Sequence, residues 1–192
     1  MQPFQKDPGM RLVDLRSDTV TLPTKEMLEA IAEAELADDL YDRDPTVKRL
    51  EEVAAQRLGK ESGLLVSSGT QGNLVSLMAH TKRGDEVIVE ADSHIYYYEV
   101  GSVSAVAGLL VKTLKGDMGA LNPKDIEDMI RPKDIYSPET TLVCIENTHN
   151  RAGGTCISSK QIQEIGDVAK AHSLRLHMDG ERICKSKTFS SL

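Results

Sequence analysis

The chain has 192 residues, 40% hydrophobic and 28% charged, and 23 Lys and Arg against 30 Asp and Glu give a formal net charge of −7. This composition excludes a disordered or collagen-like chain, and an acidic balance with no basic run argues against a nucleic-acid or membrane-surface partner. Cys144, Cys156 and Cys184 are odd in number and widely spaced, with no C-x-x-C pair and no secretory leader, which points to a reduced, cytoplasmic protein without a disulfide framework or zinc finger. Apolar runs such as Leu109-Leu110-Val111 fall far short of the roughly 20 residues that span a bilayer. With two Phe, five Tyr and no Trp, the core must be aliphatic.

From the N-terminus, Met27, Leu28, Ile31 and Ala34 recur at helical spacing and predict an amphipathic helix over 24–37. Asp44-Pro45 is an N-cap followed by proline at the first helical position, and the helix it opens, with Val47, Leu50, Ala54 and Leu58 inward, stops at Gly59. Gly63-Leu64-Leu65-Val66 reads as a strand, Ser67-Ser68-Gly69-Thr70 as a tight turn, and the stretch with Leu74, Val75, Leu77 and Met78 as a helix. Strands then alternate with helices: 86–89 extended, 96–103 helical, 108–113 extended, Asn122-Pro123 opening a helix to Ile130, and 141–146 a buried strand. Ser158-Ser159 caps a helix to His172, and 174–178 is the last strand. This alternation predicts an α/β fold on a parallel sheet, with ligands gathering beyond the carboxyl ends of the strands. The segment from Cys184 to Leu192 shows no periodicity.

Several polar constellations fall at those strand ends. Ser67-Ser68-Gly69-Thr70 combines free backbone N–H groups, a helix dipole and a glycine, and suits an anion such as a phosphate; a hydroxyl-rich capping turn is the alternative. It carries neither the Gly-Lys-Ser/Thr of nucleotide-phosphate loops nor G-x-G-x-x-G. His94 follows a strand and could stack on a flat cofactor or act as a base, or could simply be solvated. His149 lies in Glu146-Asn147-Thr148-His149-Asn150, with Arg151 and Gly153-Gly154 beside it, either as a functional group or in a capped loop. Asp179 and Arg182 could hold a protonated ring nitrogen and a carboxylate respectively, or pair with each other at an Asp-Gly turn.

Taken together, D-L-R-S-D-T-V-T at 14–21, D-P-T-V-x-x-L-E at 44–51, S-G-T-x-x-N at 68–73, D-x-H ending at His94, E-N-T-H-N at 146–150 and H-x-D-G-x-R-I at 177–183 resemble the low-specificity L-threonine aldolases. Order and spacing match from about Val13 to Ile183. The resemblance implies a pyridoxal-phosphate lyase of the aspartate-aminotransferase fold that cleaves threonine or allo-threonine to glycine and acetaldehyde. By the same resemblance, Ser68, Gly69 and Thr70 cradle the cofactor phosphate, and His94 stacks on the pyridine ring. Asp179 binds the pyridinium nitrogen, and Arg182 lies near the cofactor oxygen and the substrate carboxylate. Ser17 contacts that carboxylate, and His149 lies near the substrate β-hydroxyl. The family is homo-oligomeric, a dimer of dimers with shared active sites.

This chain departs from the family pattern at three places. Glu181 stands where the family usually has alanine in H-x-D-G-A-R, which adds a carboxylate beside Asp179 and Arg182. Tyr41-Asp42-Arg43-Asp44 lacks the glycine of the usual Tyr-Gly-x-Asp. The family's Schiff-base lysine, in a Ser-x-x-Lys-Gly-type motif well beyond H-x-D-G-x-R, has no counterpart here, because Lys185 and Lys187 lie too close to Asp179. The expectation is an N-terminal arm with helices over 1–59, an incomplete cofactor-binding large domain over 60–183 and a divergent tail over 184–192, inactive by itself. The alternatives are a non-catalytic fragment that associates with a full-length aldolase, or a related β-eliminating lyase.

Overall fold

The computed structural model describes residues 13–41 and 44–185. Asp42 and Arg43 of the Tyr-Asp-Arg-Asp loop, and the tail from Ser186 onward, lie outside the described residues. The chain divides into two compact units, Met1–Leu65 and Val66–Leu192. No helix of the described residues is long and apolar enough to cross a membrane.

In the first unit, Ser17 caps a single 3-10 turn, Asp18–Val20, by accepting from the Thr19 N–H. Helix α1 covers Lys25–Ala32, with Thr24 as its N-cap. It is shorter than the span predicted from spacing. The next segment is instead tied to the start of the second helix: the Ala37 N–H donates to Asp44 Oδ2 at 3.4 Å, and the Thr46 hydroxyl donates to the Glu35 carbonyl at 3.2 Å. Helix α2, Pro45–Leu58, follows the sequence closely. Asp44 accepts from the Thr46 and Val47 N–H groups, Pro45 fills the first turn, and Gly59 ends the helix at φ +60°, a conformation glycine adopts without a Cβ penalty.

The strand predicted at 63–66 does not form. No ladder partner exists for it in the sheet, and the Leu65 N–H donates instead to Glu51 Oε1 at 2.8 Å. Gly63 runs so close to α2 that a Cβ there would sit 2.8 Å from the Glu51 carbonyl. Leu64 and Leu65 are exposed. An apolar run alone does not make a strand where a side chain has already taken the backbone donor.

The second unit is a parallel sheet with helices on both faces. Its elements in chain order are α3 (Gly69–His80), β1 (Glu86–Glu90), α4 (His94–Tyr97), α5 (Ser102–Ala105), β2 (Leu110–Leu114), α6 (Pro123–Met129), β3 (Thr140–Glu146), α7 (Ser159–Ala171) and β4 (Arg175–Asp179). The strand order is β2-β1-β3-β4, every pair parallel. The two central strands, β1 and β3, are buried nearly throughout, as a sheet covered on both sides requires, whereas the edge strands are partly exposed. Side chains alternate between two cores. Val87, Val89, Leu142 and Cys144 pack with Leu77, Ile95 and Val103; Ile88, Val143 and Ile145 pack with Ile126 and Ile165.

The helix predicted over 96–103 is two single turns. Val100 at φ +56° and Gly101 at φ +70° break it, because a left-handed pair cannot continue an α-helix. Helix α7 begins with a capping box between Ser158 and Gln161 and ends at His172, as its sequence predicts.

Candidate active site

The sheet register explains why polar groups collect at one edge. Strands β1, β3 and β4 all run the same way, and each ends in a carboxylate: Glu90, Glu146 and Asp179. The last two are directly paired across the ladder. The loops leaving these ends carry His94, His149 and the Glu181-Arg182 pair. Ligands of parallel α/β sheets bind at this edge.

One cluster is built around Asn73, on α3 one turn, about 6 Å, along from Gly69. Its Nδ2 donates to Glu99 Oε1 at 2.8 Å and to Asp179 Oδ2 at 3.0 Å. With both amide hydrogens given to carboxylates, its Oδ1 must accept, and it does so from His177 Nε2 at 2.9 Å. His94 Nδ1 lies 3.0 Å from Glu99 Oε1. The donor atoms of His94, Glu99 and Asp179 all fall within 4.8 Å of one another. Glu99 is 3% exposed, and among the described residues its Oε2 has no hydrogen-bond partner. The field here is negative: burial, reinforced by Asp179 and Glu99, pushes the Cys144 thiol up to about 12. Burial also lowers the His177 pKa, against the opposing pull of Asp179.

A second cluster is centred on His149 and Glu146. His149 is 1% exposed. Its Nε2 faces Glu90 Oε2 at 3.0 Å, and its Nδ1 accepts from the Ala152 N–H at 3.2 Å, so both ring nitrogens are engaged. Glu146 accepts from the His94 N–H at 2.6 Å and the Asn150 N–H at 2.8 Å, and the Arg182 guanidinium stands 4.0 Å away. Arg182 also donates to the Thr148 hydroxyl from Nε at 3.3 Å.

The turn before α3 is open. Ser67, Ser68, Gly69 and Thr70 are exposed; Ser68 caps the helix through the Gln71 N–H, and the Ser67 hydroxyl donates to Gln71 Oε1 at 2.7 Å. A Cβ on Gly69 would meet nothing closer than the Glu181 carboxylate, at 3.6 Å. Glu181 therefore lies over the helix N-terminus, its other oxygen 3.8 Å from Arg182.

Of the residues singled out from sequence, the structure brings His94 and Asp179 into one cluster, places His149 and Arg182 around Glu146, and sets Ser68, Gly69 and Thr70 one turn from Asn73. Ser17 belongs to the first unit, where its hydroxyl lies 2.8 Å from that of Thr19. The sequence reading assigned no role to Asn73, Glu99, Glu90, Glu146 or His177. Asn73 could have been found from its i, i+4 relation to Gly69, and Glu90 and Glu146 from their place as charged last residues of apolar strands. Glu99 gave no periodic signal, because it lies in the bend between α4 and α5.

A family model described as "Beta-eliminating lyase" matches residues 14–191. "Low-specificity L-threonine aldolase 1" of Arabidopsis thaliana is 48% identical over 178 residues, which are 91% of this chain and 50% of that protein. "Low specificity L-threonine aldolase" of Escherichia coli K12 is 39% identical over 173 residues, 90% of this chain and 51% of that one. The chain spans about half the length of the curated relatives it matches. Among solved structures, the threonine aldolase of Leishmania major superposes with a TM-score of 0.56 at 30% identity, covering 61% of this chain and 34% of that one. A Listeria monocytogenes protein reaches 0.66 at 23% identity over 81% and 43%, which shows a common fold. The parallel α/β sheet, the strand-end cluster and a family match over nearly the whole sequence agree, and the chain belongs to the beta-eliminating lyase family.

Proposed function

We propose that this chain carries the coenzyme-holding part of a pyridoxal-phosphate-dependent L-threonine aldolase, which cleaves threonine or allo-threonine to glycine and acetaldehyde. The observation that carries the proposal is geometric. Two carboxylates and an imidazole converge one helical turn from a helix N-terminus that is lined by hydroxyls and bare of side chain at Gly69. The residues fit a flat ring with a cationic nitrogen at one end and a phosphate at the other: Glu99 and Asp179 supply an uncompensated negative pocket, and 68–70 supply N–H groups.

Asp179 is the group proposed for the ring nitrogen, and Asn73 holds its Oδ2 in place. Ser68, Gly69 and Thr70 are proposed for the phosphate. His94, whose side chain is 27% exposed, is proposed to lie against the ring face. The bound coenzyme supplies an electron sink for the pair left on Cα when the Cα–Cβ bond breaks. Arg182 is proposed for the substrate carboxylate; Thr148 and Glu146 hold its guanidinium. Ser17 is proposed for the same carboxylate on the strength of the D-L-R-S-D-T-V-T motif. The β-hydroxyl proton needs an acceptor, and His94 is favoured because its ring reaches solvent. His149, buried with both nitrogens engaged, is proposed to serve that step by holding Glu90 and the loops flanking His94. No lysine of this chain is proposed for covalent attachment. A homo-oligomeric assembly and a cytoplasmic location complete the proposal and rest on the family resemblance.

The test is titration of the full chain with pyridoxal phosphate, followed by tyrosine fluorescence. Saturable binding is expected, weakened at least roughly tenfold by Asp179→Asn, which removes one charge-assisted hydrogen bond. Absent saturation, or binding indifferent to Asp179→Asn, overturns the proposal.

A further inference from the structure

Glu99 is a buried carboxylate whose donors all converge on one oxygen. Oε1 receives the Asn73 amide at 2.8 Å and faces His94 Nδ1 at 3.0 Å, while Oε2 is without a partner among the described residues. The orientation of Asn73 is not free to vary. Its Nδ2 lies between two carboxylate oxygens and its Oδ1 faces the His177 ring nitrogen, so the amide donates to Glu99 and cannot accept from it. A carboxylate held in this way is an acceptor toward its remaining neighbour, and that neighbour is His94 Nδ1.

The other groups around His94 do not compete for the ring proton. Glu146 takes the His94 backbone N–H, the Tyr98 ring lies 5.3 Å from the imidazole centroid, and among the described residues the Asp179 carboxylate makes no hydrogen bond to the ring. Among the described residues His94 Nε2 makes no hydrogen bond, and the side chain keeps 27% of its surface exposed.

We infer that Glu99 is a positioning residue that fixes the tautomer of His94, holding the proton on Nδ1 and leaving Nε2 as the nitrogen that accepts a proton in the cleft. On the proposed aldolase chemistry, on which this catalytic consequence rests, the β-hydroxyl proton passes to Nε2. The resulting imidazolium keeps its Nδ1–H on the Glu99 carboxylate, which stabilises the charge. Asn73 is then shared between the group that sets the base and the group proposed for the ring nitrogen.

The experiment is long-range 1H–15N NMR of the histidine rings in the full chain without coenzyme, above the pH at which imidazoles are protonated, with His94 assigned from His94→Gln. Nδ1 is expected at the shift of a protonated ring nitrogen and Nε2 at that of a bare one. In Glu99→Leu, which removes the acceptor facing Nδ1, the tautomer ratio is expected to move toward Nε2–H by at least roughly tenfold. A ring that merely packs against residue 99 would not change tautomer. The inference is overturned if the unsubstituted chain already carries its proton on Nε2, a result that needs no variant to fold, or if Glu99→Leu leaves the proton on Nδ1. Because no coenzyme is added, failure here is distinct from failure to bind pyridoxal phosphate.

Discussion

Glu181 stands where the resemblance led to an expected alanine, and the structure gives that residue a physical meaning. Its carboxylate hangs over Gly69, at the positive end of α3, where the proposed phosphate would sit. A carboxylate at a helix N-terminus occupies a place that favours anions and repels a second one. Glu181→Ala is therefore expected to tighten pyridoxal phosphate binding roughly two- to fivefold, the effect of one exposed charge at a helix terminus, and to leave the affinity for pyridoxal, which lacks the phosphate, unchanged. Competition isotherms for the two ligands check this; equal changes for both would remove Glu181 from the phosphate site. The identity of residue 181 was legible in the sequence, and its charge was flagged there. Its position over Gly69 was not, because that depends on how the turn after β4 folds back across the sheet edge.

Among the elements, those defined by local chemistry were the most legible. Asp44, Pro45 and Gly59 bound α2 as their residue types require, and the Ser158–Gln161 box starts α7. The elements misjudged were those decided by distant partners: Gly63–Leu65, whose backbone is taken up by Glu51, and the interrupted α4–α5 segment. The loop joining β2 to α6, for which the sequence offered no reading, is also settled by a distant partner. Gly119 has φ +85° and passes so near His149 that a Cβ would fall onto its ring. Gly119→Ala combines a disallowed backbone conformation with overpacking and is expected to destabilise the second unit by about 1–3 kcal/mol, read as a lowered denaturant midpoint. An unchanged midpoint would mean that His149 is not held against that loop. Nothing in the local sequence announced this contact, since Gly119 and His149 are joined only through the sheet.

For the whole molecule, the α/β class and the parallel sheet were legible because β1 and β3 are apolar through their interiors and each is followed by a helix-forming segment. The clustering of Asn73, Glu99 and Asp179 was not, since it joins residues up to 106 positions apart. Burial of polar groups also makes stability depend on acidity. The His177 pKa is lowered from its ordinary 6.5 chiefly by burial, so the unfolded chain takes up a proton more readily than the folded one. Its contribution is complete above about pH 6.5 and is lost as pH falls through the lowered folded value. Thermal unfolding between pH 7.5 and 5 is expected to show a falling midpoint, and His177→Gln should flatten that slope; an identical slope in the variant would assign the effect to other groups.

The Glu146 carboxylate has a further consequence. One oxygen anchors the start of the segment after β1 through the His94 N–H, and the other anchors the segment after β3 through the Asn150 N–H. A single side chain thus acts as a common hinge pin. Neither stretch can swing outward without breaking its bond to that pin, so the same carboxylate sets the placement of the imidazole carried by one and of the Glu90-bound ring carried by the other.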